Sequence, residues 1–210
     1  MRGLLAARGS DKPVCHEIVA EGSFQTPEIR LTGFNAADCR CICETDRVAI
    51  WNSQGREIET RERPSESLRQ RASLAQWDDL DLAYYLGMSI WDHIATPFVL
   101  SSPDLIAEEL PPLLERGSAS RRLKVSSPPD GTPRPNERVY YFDNKGLPRR
   151  VDTASLGAGD PPLTHYTSAH VNFSGFVVPT LRSSFHQTPD GKHANKDALI
   201  DLEIFDASFS

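Results

Sequence analysis

The chain has 210 residues, enough to bury a full hydrophobic core without disulfide or metal staples. Its net charge of −6 argues against a nucleic-acid or anionic-membrane partner, and the acidic residues are dispersed rather than blocked. No window approaches the roughly 20 apolar residues of a membrane span, and the N-terminal segment lacks the roughly 7–15 apolar residues of a secretory signal; the reading is a soluble, cytoplasmic protein of one domain, residues 1–210.

Residues 13–24 read as a first strand and residues 29–34 as a second, after the Thr26-Pro27 turn. Residues 38–44 form the third. Here Cys39, Cys41 and Cys43 alternate, which in a strand puts all three on one face. Neighbours two apart do not bridge easily and the sequence has no Cys-x-x-Cys, so they read as reduced thiols packing as small hydrophobes. Cys15 could pair with one of them in an oxidising compartment. Residues 47–51 are the fourth strand, Asn52-Ser-Gln-Gly55 a turn, and residues 56–63 the fifth, which completes an antiparallel meander. Residues 64–75, polar and Arg-rich, connect as a loop or short helix.

The segment from Trp77 to Leu100 is the longest apolar stretch and the one long helix the sequence predicts. Asp78 or Asp79 caps its start, where negative charge suits the helix dipole. Leu82, Leu86, Ile90 and Ile94 form one stripe, and Tyr84, Met88, Trp91 and Ala95 widen it until most of the circumference is apolar. Such a helix is buried rather than laid on a surface. One band stays polar: Tyr85, Ser89, Asp92 and Thr96, with His93 beside it. Pro97 ends or kinks the helix. Ser102-Pro-Asp104 then caps a brief helix over 105–110, which Pro111-Pro112 stops.

The second half returns to strands at 121–126, 137–143, 147–153, 165–170, 176–186 and 198–205, with a Pro-rich turn at 127–135 and a Gly/Pro loop at 156–162. Asn144-Lys-Gly146 marks a tight hairpin, and Thr188 to Lys192 another turn. The fold class is therefore α+β: a strongly curled antiparallel sheet of nine to eleven strands, a half-barrel or open barrel, with one long central helix packed in its mouth. Such a layout leaves a cavity between sheet and helix.

Tyr141-Phe-Asp-Asn-Lys-Gly-Leu147, followed by the run from His165 to Pro179, carries a resemblance. The segments from Trp77 to Gly87 and Thr96-Pro-Phe98 carry it too. The pattern resembles a family of uncharacterised microbial proteins and, towards its ends, the half-barrels of lipoprotein carriers. It covers the chain from about residue 47 onward. The shared motifs are turn glycines and core aromatics, so the resemblance implies a fold and an apolar-ligand cavity but transfers no catalytic residue. The chain departs at Trp91-Asp92-His93, where the family pattern implies Trp followed by amide and aromatic residues.

No phosphate loop, His-Glu-x-x-His or Gly-x-Ser-x-Gly occurs, so no cofactor is expected. Asp92 and His93 point about 100° apart on a helix, and either could transfer a proton from the cavity wall, or simply meet solvent. His165, His170 and His186 lie on late strands, but their spacing does not require a metal site, and none is expected. Arg149, Asp152 and Arg182 sit on strands whose charged face is ordinarily solvated. The leading expectation is a cofactor-free isomerase, cyclase or dehydratase acting on a hydrophobic small molecule held between sheet and helix: His93 or Asp92 moves the proton, Tyr84, Trp91 and Tyr140 line an apolar wall, and His165 or Arg182 holds a substrate oxygen. The alternatives are a non-catalytic carrier of a lipid-like ligand and a purely structural partner. A homodimer is left open.

Overall fold

The computed structural model describes residues 1–7, 14–71, 76–115, 117–126, 137–154, 161–188 and 198–209. Thirteen strands and two helices follow in chain order among them: β1 (Arg2–Ala7), β2 (Val14–Gly22), β3 (Ile29–Thr32), β4 (Arg40–Cys43), β5 (Arg47–Trp51), β6 (Glu57–Glu62), α1 (Pro64–Gln70), α2 (Asp79–Val99), β7 (Ile106–Glu115), β8 (Ser118–Ser126), β9 (Glu137–Phe142), β10 (Pro148–Thr153), β11 (Leu163–Phe173), β12 (Phe176–His186) and β13 (Ile200–Asp206). The turns expected at 127–135, 156–162 and 188–192 lie wholly or largely outside the described residues.

All strands belong to one antiparallel sheet, ordered β6-β5-β4-β3-β2-β1-β13-β12-β11-β10-β9-β8-β7. Each half is a meander of chain neighbours, and the halves meet at the centre, where β1 pairs with β13 from Arg2↔Asp206 to Ala7↔Ile200. The sheet is curled and open, with β6 and β7 as its edges. The edge β6, Glu-Ile-Glu-Thr-Arg-Glu, is charged, which discourages pairing with another chain.

The sheet is wider than the nine to eleven strands expected. The strand β1 is not marked in the sequence, because Arg2-Gly-Leu-Leu-Ala-Ala lacks β-branched residues. The helix expected over 105–110 is instead the start of β7. Its Pro111 and Pro112 fall at a register irregularity between Leu110 and Leu113, on a strand that pairs only with β8. At a bulge on an edge, proline forfeits no essential ladder bond.

The helix α2 has 21 residues, starting later and ending earlier than the stretch 77–100. Asp78 is its cap: its carboxylate accepts from Asp81 N at 3.0 Å, and Asp81 Oδ2 accepts from Asp78 N at 3.4 Å. Pro97 does not end the helix, which continues to Val99. It removes one intrahelical N–H, and the helix runs only two residues beyond it. A second helix, α1, occupies the connector after β6.

The helix divides its surroundings. Its apolar side packs on β3–β6, where Ala83, Tyr84, Leu86 and Ile90 join Ile29, Leu31, Cys41, Cys43 and Val48 in the core. Cys41 and Cys43 are buried free thiols and Cys39 is a half-buried one, and burial pushes all three thiol pKa values up. A Cβ at Gly87 would lie 2.6 Å from Cys43 Sγ and 2.9 Å from Ile29 Cγ2, so this glycine sets how closely helix and sheet approach. Gly87→Ala gains about 1 kcal/mol in helix propensity but incurs roughly 1–3 kcal/mol of overpacking. The expected result is a lower urea midpoint; a raised midpoint would mean that the contact yields freely.

Candidate functional site

The polar band of α2 faces the other half of the sheet. Cross-strand pairing sets which residues meet it: Tyr140 lies opposite Val151, Val151 opposite His165, His165 opposite Ser184, and Thr167 opposite Arg182. Arg138, two residues before Tyr140, shares its face through the period-2 alternation of a strand. The result is a polar wall beneath the helix, where the other half of the sheet presents an apolar one.

Two guanidinium groups dominate this wall. Arg138 Nη1 donates to Asp92 Oδ1 at 2.5 Å and lies 3.4 Å from the Tyr140 hydroxyl. Burial alone would depress the Arg138 pKa, but the Asp92 carboxylate outweighs it and the net displacement is upward. Arg182 Nη1 donates to the Ser89 carbonyl at 2.8 Å. Burial pushes the Arg182 pKa down, opposed by Asp92 and Tyr85 and reinforced by Arg138. Burial also raises the Tyr85 and Tyr140 hydroxyl pKa values. Ser89, Asp92, Thr96 and Arg182 are only half-buried, so the seam between helix and wall is not fully closed.

The histidines are held differently. His93 Nε2 donates to the Pro179 carbonyl at 2.8 Å, which fixes the proton on that nitrogen. Burial, then the charge of Arg182, lowers its pKa to about 4. His165 Nδ1 lies 2.8 Å from Ser184 Oγ, and burial with Arg182, Arg138 and His93 nearby holds it well below the usual range. Both groups bind protons more readily unfolded than folded. Their contribution is therefore complete only above the ordinary histidine range and is lost as pH falls below it, for His93 down to about 4. For His93 this amounts to about 2 kcal/mol between pH 7.5 and 5.0. Urea unfolding at the two pH values should show the loss, and His93→Gln, which keeps a donor for Pro179 O, should reduce it; an unchanged difference in the variant would place the proton uptake elsewhere.

The structure thus brings together Asp92, His93, Tyr140, His165 and Arg182. It does not bring Tyr84 or Trp91 to them. The Tyr84 hydroxyl donates to Thr45 O at 2.8 Å and Trp91 Nε1 to Ser23 O at 2.6 Å, both on the apolar side of α2. Arg138 was not among the expected site residues; its position two before Tyr140 was the signal. On the opposite face of the same strands Arg150, not Arg149, is the buried cation. It forms a bidentate pair with Asp152 at 2.7 and 2.9 Å, an ion pair with Glu115, and stacks on Tyr141 at 4.7 Å. Among the described residues, no group of three or more His, Cys, Asp or Glu is placed to hold a metal ion.

Two further surfaces are notable. Phe24, Phe98, Phe176 and Phe209 form an aromatic group at the C-terminal end of α2, with centroids 4.4 Å apart for Phe24–Phe98 and 4.7 Å for Phe176–Phe209. Phe98 and Phe176 are 40% and 38% exposed, and Val171 and Val177 beside them on the β11–β12 hairpin are exposed too. Separately, an open cleft of about 540 Å³ lies between β6 and α1, lined by polar and charged residues including Arg63, Glu66 and Arg71. No helix is long and apolar enough to cross a membrane among the described residues.

No protein-family profile and no curated protein matches the chain. Solved structures do. The chain is similar to a LolA superfamily protein from Nitrosomonas europaea, with a TM-score of 0.53 at 10% identity over 96% of this chain and 81% of that one. It is similar to a domain from Vibrio parahaemolyticus described as an outer membrane lipoprotein-sorting protein, with a TM-score of 0.54 at 8% identity over 96% and 80%. A DUF1329 family protein from Desulfovibrio piger gives 0.52 at 9% identity over 96% and 81%. At such identities the likeness is one of fold alone, and that fold is LolA-like: a wide, curled, open antiparallel sheet packed on helices.

Proposed function

We propose that the protein is a binding protein or carrier for a hydrophobic, lipid-like ligand. The observation that carries this reading is the curled sheet packed on an asymmetric helix, in the fold of a lipoprotein-sorting protein, with exposed aromatic side chains gathered at one end of that helix. Those rings are continuous with the core, since Phe24 and Phe209 pack against it. An apolar chain laid on them gains the burial that they lack.

The acid–base enzyme reading has less behind it. Asp92 is engaged by Arg138, and His93 commits its proton to a backbone carbonyl. Both side chains have structural employment, and nothing in the fold likeness points to isomerase, cyclase or lyase chemistry.

The test is binding and transfer. Purified protein should enhance the fluorescence of N-phenyl-1-naphthylamine, a neutral apolar probe, and should speed movement of a fluorescent lipid from donor to acceptor vesicles in proportion to its concentration. Phe98→Asp, at an exposed ring, should leave the fold intact and weaken probe binding roughly tenfold. Absence of binding by the unmodified protein would overturn the reading. Turnover of a candidate compound, abolished in Asp92→Asn, would restore the enzyme.

A further inference from the structure

Arg182 is half-buried and has no carboxylate within ion-pair distance among the described residues; its Nη1 donates to the Ser89 carbonyl. A guanidinium has five N–H donors, and one carbonyl occupies few of them. The nearest negative charge, Asp92, is already engaged by Arg138 at 2.5 Å. Among these three described groups two positive charges face one negative, leaving one positive charge in excess. A partly buried guanidinium with no carboxylate at ion-pair distance is a ready partner for an anion. The seam is reachable from solvent, because Ser89, Asp92, Thr96 and Arg182 are half-buried while Arg138 and Tyr140 behind them are buried.

The seam and the aromatic group are parts of one track. α2 runs along β12, touching it at Ser89–Arg182, His93–Pro179 and Phe98–Phe176. Ser89 and Phe98 are nine residues apart on the helix, about 14 Å. A molecule with a charged head at Arg182 and an apolar tail of that length reaches the exposed rings.

We propose that the ligand is a single-chain anionic amphiphile, a fatty-acid-like carboxylate, whose head group is anchored by Arg182 beside Ser89 and the Arg138–Asp92 pair. A monoanion matches the single excess charge, whereas a phosphate head would bring a second negative charge towards Asp92. This inference rests on the hydrophobic-ligand reading and specifies its head group.

The experiment compares cis-parinaric acid with its methyl ester by fluorescence titration, using the full chain. The acid should bind roughly ten- to a hundredfold more tightly than the ester, the margin of a charge-assisted hydrogen bond. Arg182→Gln should lose most of the acid's advantage over the ester, while Arg182→Lys should retain part of it. Lauric acid should displace the probe at lower concentration than dodecyl phosphate. Equal binding of acid and ester by the unmodified protein would overturn the inference and leave the hydrophobic-ligand reading standing. Binding of neither would overturn both. Stronger displacement by dodecyl phosphate would overturn the carboxylate assignment. Because the acid-to-ester ratio is read on the unmodified protein, the inference stays decidable even where Arg182→Gln fails to fold.

Discussion

Replacing Asp92 by Ala is expected to lower the stability of the protein by about 3–5 kcal/mol, the usual effect of removing one member of a buried ion pair. For a chain of this length that is a fall of about 6–20 °C in the midpoint of thermal unfolding. The cause is Arg138 rather than the lost aspartate itself. Its side chain is 9% exposed and that of Asp92 is 17% exposed, so water replaces the carboxylate only in part. Arg182 on the same wall adds a like charge. Asp92→Asn should cost less, since the amide oxygen can still accept from Arg138 Nη1. The double variant Asp92→Leu with Arg138→Met should recover most of the stability, because the cost lies in the unpaired charge. A double variant as unstable as the sum of its singles would show that the two side chains act independently.

Asp81→Ala should be comparably damaging, by about 3 kcal/mol or more. Asp81 is wholly buried at the first turn of α2. It pairs with Arg61 Nη1 at 2.6 Å and Arg71 Nε at 3.3 Å, accepts from Ser67 Oγ at 2.9 Å, and closes the capping box with Asp78. One carboxylate thus ties β6 and α1, with the residue that follows it, to α2. Asp79, two residues earlier and exposed, is the control: Asp79→Ala removes only a favourable charge at the helix start, about 0.3–1 kcal/mol. Urea unfolding of the two variants side by side checks the contrast, and equal midpoints would overturn it.

The sequence made the meanders and the helix legible through periodicity and through turn chemistry such as Asn144-Lys-Gly146, where Asp143 accepts from the Lys145 and Leu147 amides. What it concealed were the places where tertiary context overrides local signals. Two consecutive prolines and a run of Glu and Leu read as the end of a helix, yet an edge strand tolerates them. Arg138 in Glu-Arg-Val-Tyr reads as solvated, because a charged residue on a strand ordinarily faces water. Only the helix laid across that face turns it inward. Tyr84 and Trp91 belonged plainly to an apolar helix, but which side of that helix meets which half of the sheet depends on the sheet order, and that order is not written in any local pattern.

The ladder between β1 and β13 has a kinetic consequence. Within each half of the sheet every strand pairs with its neighbour in the chain, so those ladders close short loops and can form early. The joining ladder ties Arg2 to Asp206 and must wait for the whole intervening chain. During synthesis, β1 leaves the ribosome before the other strands of the sheet and β13 after them. For most of that interval β1 has only β2 beside it, with one row of amides and carbonyls unmatched in the middle of what will become the sheet. The nascent protein therefore carries its most adhesive edge at its eventual centre, and shielding that strand until β13 arrives is where a chaperone would do most to raise the yield of folded molecules.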